Sequence, residues 1–152
     1  MNPDLEEAFP RLTSGDYRIT SPHSPKYNCI AWAANDSARW WWPDQMMQYY
    51  WPPRVPRQEN LIAFLAAFQE LGYFPCKIAA LEKGFEKVAI YVSSDGKPTH
   101  AARQLPDGKW TSKLGTREDI QHKSLKCLEG SRYGEVAAIL RRKGGHPSFP
   151  VD

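Results

Sequence analysis

Short segments with β-sheet character, bounded by turn residues, dominate the second half of the chain. They occupy residues 87–92, 99–105 and 110–114 and are separated by two Asp-Gly turns. Because tight glycine turns join antiparallel neighbours, this spacing predicts a three-strand antiparallel meander. Residues 133–142 fit either a closing strand or a helix, and we favour a strand of the same sheet.

The first half shows helical spacing instead. Five apolar positions repeat at intervals of three and four residues, namely Leu61, Phe64, Leu65, Phe68 and Leu71. Pro56 before them and Gly72 after them are typical of a helix start and end, so we expect a core-facing helix between the two. A shorter helix is predicted to begin after Asn28, a good N-cap residue, and to stop at Asn35.

The remaining segments carry weaker signals. Residues 1–26 contain four prolines with polar spacers and predict an irregular lead-in. A capping-box pattern beginning at Thr116 predicts a short helix at 117–123. We therefore expect a single α+β domain over residues 1–143, followed by a flexible tail at 144–152.

Composition narrows the class of protein. With 41% hydrophobic and 24% charged residues, the chain is typical of a globular protein with a real core. Three cysteines without a C-x-x-C pair exclude a closed disulfide framework, and we expect neither a structural metal nor a cofactor. No apolar run reaches the ~18–20 residues of a membrane span, and the acidic start resembles no secretion signal. The expected location is the cytoplasm, unless a non-classical system exports the protein.

The charge of the chain gives little support for a nucleic-acid partner. The net charge is +3, and the only compact basic run is Arg141-Arg142-Lys143. We do not expect nucleic-acid binding, and the sequence predicts no particular oligomeric state. A peptide or protein substrate is the expected partner.

Cys29 is the cysteine that falls at a predicted helix start. Backbone N–H groups and the positive end of the helix dipole favour a thiolate there, so the pKa of this thiol is expected to fall towards neutrality. The same N–H groups can hold a developing oxyanion, assisted by the side chain of Asn28 or Tyr27.

A thiol nucleophile needs an oriented imidazole. Of four histidines, His100 alone lies on a predicted meander strand. Two residues are candidates to orient its ring: Ser112 on the next strand, and Gln104, which shares a strand face with His100 by the period of two. We expect His122 to lie on a solvated face.

We expect the other conspicuous side chains to serve mainly in packing. Cys76 and Cys127 are predicted to pack in the core. The aromatic residues contribute mainly packing, and part of them is expected to line a substrate groove. The groove candidates are Trp40, Trp41, Trp42, Trp51 and Trp110.

Three sequence stretches carry a family resemblance. Tyr27-Asn-Cys-Ile-Ala-Trp-Ala33, Thr99-His-Ala-Ala-Arg-Gln104 and Trp110-Thr-Ser-Lys113 resemble, in order and spacing, papain-like thiol hydrolases and particularly the NlpC-like cell-wall endopeptidases. The same stretches, with Arg39-Trp-Trp-Trp-Pro43, are similar to a bacterial family of small domains of unknown function.

The first likeness implies an α+β papain-like fold, with a nucleophile helix packed on an antiparallel sheet. It also implies a cysteine-dependent hydrolase or acyl-transferase that acts on amide or thioester bonds through Cys29 and His100. The alternative is a non-catalytic module that binds protein or peptide through the loop at residues 40–51, which we call the Trp-rich loop.

Overall fold

The computed structural model describes residues 3–144, so the expected tail lies outside it apart from Gly144. The helices are α1 (Pro3–Ala8), α2 (Cys29–Ala33) and α3 (Leu61–Gln69), with a 3-10 helix at Leu125–Leu128. The strands are β1 (Tyr17–Ser21), β2 (Phe74–Cys76), β3 (Phe85–Val92), β4 (Pro98–Gln104), β5 (Trp110–Lys113), β6 (Asp119–His122) and β7 (Glu135–Lys143). Within the described range, no helix has the length and apolar character needed to cross a membrane.

The strands form one antiparallel sheet in the order β1-β6-β5-β4-β3-β7-β2. The predicted meander is confirmed as β3, β4 and β5, which are consecutive neighbours in the sheet. The strand interpretation of residues 133–142 is also confirmed, because β7 pairs with β3 along its length.

The expected papain-like arrangement is wrong. The structure is mostly a seven-stranded antiparallel sheet with a few short helices. The helix that begins at Cys29 has five residues, about one and a half turns, because Asn35 adopts a left-handed φ of 64° soon after it. So short a helix cannot form a helical layer over the sheet.

Three local predictions also need correction. Residues 117–123 contain strand β6 and no helix, because its backbone pairs with β5 and Ile120 is completely buried. The lead-in at 1–26 is not wholly irregular, since it contains α1 and β1. The long helix begins at Leu61, not near Pro56, because Asn60 caps it by accepting from the Ala63 N–H.

The sheet separates two hydrophobic cores. The helix-side core joins α2, α3 and the Trp-rich loop to one set of strand residues, with Trp41 and Phe64 at its centre. The opposite core joins α1 and the 3-10 helix to the alternate strand residues, including Tyr91 and Trp110. Alternation along each strand therefore decides which core a side chain enters.

Candidate functional site

Asn28 fixes the start of the Cys29 helix. Its Oδ1 accepts from the N–H of Ala31 at 3.1 Å, which confirms the predicted N-cap. The same side chain binds the backbone of Trp41 in both directions, accepting from its N–H at 3.1 Å and donating to its carbonyl at 2.7 Å. Asn28 thus ties the helix start to the Trp-rich loop.

The Cys29 thiol is buried, and burial decides its protonation. Desolvation raises its pKa to about 11, although three backbone N–H groups and the charge of Lys113 act in the opposite direction. The expected effect of the helix N-terminus is present, but it is outweighed. One of the three N–H groups belongs to Ala101 on β4. At neutral pH the closed structure therefore holds Cys29 as a thiol.

His100 lies in a fully buried polar line. Its Nε2 is 2.9 Å from Oγ of Ser112, and the same Oγ is 2.8 Å from Nε2 of His122. Nδ1 of His122 is 2.9 Å from the carbonyl oxygen of Ser124. The other ring nitrogen of His100, Nδ1, is buried and makes no hydrogen bond to any described residue.

Aromatic rings fix the plane of the His100 imidazole. The ring of Tyr133 stacks on it at 4.0 Å between centroids with a 7° interplanar angle, and Tyr91 meets its edge at 5.2 Å. Gly134 allows this position of Tyr133, because a Cβ there would lie 1.9 Å from the carbonyl oxygen of Val92. Burial and the neighbouring His122 hold the pKa of His100 well below its usual value, so its ring is neutral.

No hydrogen bond joins Cys29 to His100 in the described structure. Cys29 lies near the backbone of Ala101, which follows His100. Cys29 belongs to the helix-side core, whereas His100 packs against Tyr91 and Tyr133 of the opposite core.

The two candidate orienters of His100 have different partners. Ser112 contacts the ring directly, as described above. Gln104 donates its Nε2 to the carbonyl of Ala79 at 2.8 Å, towards the far end of β4. The structure thus brings Ser112 to His100 and engages Gln104 elsewhere.

A second buried polar group lies on the other face of β5 and β6, and we call it the Lys113 cluster: Lys113, Tyr27 and Asp119. The ammonium of Lys113 donates three hydrogen bonds to backbone carbonyl oxygens, those of Ser24, Gly115 and Arg117. Tyr27 donates its hydroxyl to Asp119 at 2.7 Å, and the Lys113 ammonium lies 5.1 Å from the Tyr27 ring centre. Tyr27, predicted as an oxyanion partner, therefore already uses its hydroxyl in this cluster.

Sequence reasoning missed several members of these two groups. His122 was expected on a solvated face but is 1% exposed. The misassigned helix at 117–123 concealed it, since a strand there puts His122 and Ile120 on the face that Ser112 shares. Lys113 carries no functional signal of its own in the sequence, although the pairing of β5 with β6 places it beside Asp119.

Most of the predicted groove residues are packed inside. Trp41, Trp51 and Trp110 are nearly inaccessible, with Trp110 in the opposite core, while Trp40 and Trp42 are half-buried. Trp41 donates its indole N–H to Asp36 at 2.8 Å. The exposed apolar side chains of the loop belong to Met46, Met47 and Tyr49.

The remaining cysteines differ in access. Cys127 is buried beside Ser124, while Cys76 is half-buried at the end of the short edge strand β2. All three thiols are free. Among residues 3–144, no cluster of three or more His, Cys, Asp or Glu side chains has a geometry that could hold a metal ion.

An open cleft borders the other end of α2. It has a volume of about 700 Å³ and is lined by residues that include Asn35, Arg103 and Arg142, but not by Cys29. Arg103 connects it to the helix, because its Nε donates to the carbonyl of Trp32 at 3.3 Å. As the structure stands, the thiol is closed off from this cleft.

Comparison with known proteins identifies a family for this chain. No curated protein and no solved structure matches the chain. Residues 18–141 match a family described as a domain of unknown function, and they include α2, the polar line of His100 and the Lys113 cluster. The chain belongs to this family, Domain of unknown function (DUF7689).

Proposed function

We propose that the chain is a cysteine-dependent hydrolase or acyl-transferase acting on amide or thioester bonds through Cys29 and His100. The observation that carries the proposal is the state of the His100 ring. Ser112 holds its Nε2 at 2.9 Å, two aromatic rings fix its plane, and its buried Nδ1 has no partner among residues 3–144. An imidazole bound at one nitrogen and free at the other is what a general base requires.

The reaction begins when Sγ of Cys29 attacks the carbonyl carbon and its proton passes to Nδ1 of His100. The tetrahedral adduct then expels an amine or a thiol, which takes that proton, and an acyl thioester remains on Cys29. Water or another nucleophile attacks the thioester and gives its proton to His100, which returns it to the Cys29 sulfur. Backbone N–H groups at the start of α2 would hold the oxyanion in both steps.

Burial sets two conditions on this mechanism. Because the pKa of Cys29 is about 11, the reactive thiolate forms only as His100 removes the proton during attack. Because Cys29 is 6% and His100 0% exposed, and because their side chains join different cores of the sheet, the site must open both to admit a substrate and to bring the thiol to His100. The proposal therefore predicts a slow reaction with small acyl donors that is specific for one thiol.

Acylation by a small aryl thioester tests the proposal. The full chain is incubated with the reagent, and the modified residue is identified by intact mass and peptide mapping. We expect the acyl group on Cys29, its loss in Cys29→Ser, and a rate lower by roughly 10²-fold or more in His100→Gln.

Cys76 supplies the matched control, because it is the most accessible of the three thiols. Cys76→Ser should leave the acylation of Cys29 unchanged. If the label enters Cys76 and His100→Gln does not alter the rate at Cys29, access rather than activation governs the chemistry and the proposal is wrong.

The exposed tip of the Trp-rich loop favours a second candidate function, a non-catalytic peptide-binding module. Met46 is 79% exposed, Met47 71% and Tyr49 42%, whereas the rings below them are packed. Adaptable methionines beside an aromatic ring suit apolar peptide side chains. Binding of displayed apolar peptides that is lost in the Met46→Ser, Met47→Ser double variant but retained in Cys29→Ser would identify this function.

A further inference from the structure

A continuous line of hydrogen bonds stands behind the His100 ring. It runs from Nε2 of His100 through Oγ of Ser112 to Nε2 of His122, and from Nδ1 of His122 to the carbonyl oxygen of Ser124. The side chains of His100, Ser112 and His122 are at most 1% exposed. Because solvent does not reach them, the line itself must determine where its protons lie.

The carbonyl oxygen of Ser124 determines which atoms donate and which accept along this line of hydrogen bonds. A backbone carbonyl oxygen can only accept a hydrogen bond, so Nδ1 of His122 must carry a proton. Burial lowers the pKa of His122 to about 4, which leaves its ring neutral at neutral pH. A neutral imidazole has one N–H, so Nε2 of His122 is an acceptor facing Ser112.

The Ser112 hydroxyl extends the same order of donors and acceptors to His100. Its single proton is donated to Nε2 of His122, and its oxygen lone pair then faces Nε2 of His100. That nitrogen must therefore be the donor. Since the His100 ring is also neutral, its Nδ1 carries a lone pair and no proton.

The reverse order of protons is unfavourable at both ends. At His122, a lone pair on Nδ1 would face the lone pairs of the Ser124 carbonyl oxygen, 2.9 Å away. At His100, Nδ1 would carry a buried N–H with no acceptor among the described residues. Buried donors without a partner are strongly disfavoured in proteins. The forward order leaves only one lone pair unused.

We propose that His122 is a positioning residue that acts through Ser112 to hold His100 in the Nε2–H tautomer, with Nδ1 free as a base. This inference deepens the proposed function and rests on it, because the free Nδ1 is the nitrogen that receives the Cys29 proton. Ser112 alone could both donate and accept, so it does not define the tautomer. The Ser124 carbonyl and His122 together determine that Ser112 donates to His122 and accepts from His100.

Nitrogen-15 NMR of the full chain labelled at histidine measures the tautomers directly. We expect His100 as the Nε2–H form and His122 as the Nδ1–H form in the wild-type protein at neutral pH. A wild-type His100 that carries its proton on Nδ1, or that is charged, overturns the proposal whether or not any variant folds.

Two variants separate positioning from packing. His122→Phe keeps a ring but removes the acceptor, so each tautomer of His100 now leaves one buried donor unpaired, and the Nδ1–H form should become populated beside the Nε2–H form. His122→Gln restores a carbonyl oxygen near the Nε2 position and should retain the Nε2–H form. His23→Gln, at an exposed side chain bound to Glu118, is the matched control and should change neither ring.

The same variants are then acylated with the aryl thioester. We expect His122→Phe to slow acylation of Cys29 in proportion to the fraction of His100 found in the Nδ1–H form, with recovery in His122→Gln. If folded His122→Phe keeps the wild-type tautomer and rate, His122 does not position His100. If the tautomers are as expected but Cys29 is never acylated, the proposed hydrolase is overturned and the tautomer assignment is supported.

Discussion

Two buried polar groups occupy opposite faces of β5 and β6, and they are satisfied in opposite ways. Ser112 and His122 join a neutral line in which each proton has one donor and one acceptor. On the other face, Lys113 and Asp119 are ionisable groups of opposite sign, whose neighbours are carbonyl oxygens and the Tyr27 hydroxyl. Successive residues of the same strands thus serve different electrostatic purposes.

The two groups differ because a buried charge and a buried neutral line of hydrogen bonds have different requirements. The Lys113 cluster needs a full set of fixed dipoles, because a buried ammonium without partners is very costly. The His100 line needs no charge at all, but it tolerates only one order of protons. We therefore expect the first group to dominate stability at neutral pH and the second to respond to acid.

Removal of Lys113 should have the largest effect. Lys113→Met keeps the aliphatic volume but leaves three partly buried carbonyl oxygens without this donor and Asp119 without its neighbouring cation. We expect a loss of about 3–5 kcal/mol in the free energy of unfolding, measured with urea at neutral pH.

Lys109→Met is the control for this variant, because its side chain is 54% exposed, and it should stay within about 0.5 kcal/mol of wild type. A loss below about 1 kcal/mol for Lys113→Met would show that the Lys113 carbonyl contacts do not stabilise the fold.

Removal of the Tyr27 hydroxyl should have a smaller effect in the same cluster. Tyr27→Phe deletes the donor that lies 2.7 Å from Oδ2 of Asp119, while Oδ1 already has no hydrogen-bond partner among the described residues. A hydrogen bond to a charged group contributes about 1.5–3 kcal/mol, so we expect a loss of that size by urea unfolding.

The half-exposed Tyr49 provides the comparison for Tyr27→Phe, and Tyr49→Phe should be almost neutral. Equal stabilities for the two variants would mean that the hydrogen bond from Tyr27 to Asp119 does not stabilise the fold.

Local patterns predicted the neutral line better than the charged cluster. The two Asp-Gly turns define the meander, and the meander places Ser112 beside His100. Lys113 gave no such signal, because lysine is normally exposed and its carbonyl partners come from chain segments that no periodicity describes. The strand β6 was also missed, since its pairing with β5 overrides a local capping pattern.

The properties of Cys29 were also only partly predictable from the sequence. Its position at a capped helix start was predictable from Asn28, and the structure has the expected backbone N–H groups. The sign of its pKa shift was not predictable, because burial depends on the Trp-rich loop and β4 packing over the helix. Helix geometry is local, whereas desolvation is a property of the whole fold.

The pH dependence of the free energy of unfolding tests the difference between the two groups through the smallest expected effect. Both histidines of the line have a pKa lowered by burial, that of His122 from 6.5 to about 4. Below about pH 6.5 the unfolded chain binds protons on imidazoles that the folded chain leaves neutral, so stability falls as the pH falls. Each histidine contributes a slope of about 1.4 kcal/mol per pH unit between its folded and unfolded pKa values.

His122→Phe removes one of these two contributions and leaves the carboxylates unchanged. Urea unfolding between about pH 6 and pH 4.5 should therefore show a slope shallower by about 1.4 kcal/mol per unit than that of wild type. Tyr49→Phe is the control, because this side chain is half-exposed and belongs to neither polar group, so the variant should keep the wild-type slope. Parallel profiles for wild type and His122→Phe would mean that His122 titrates alike in both states, and hence that the neutral line does not persist in solution.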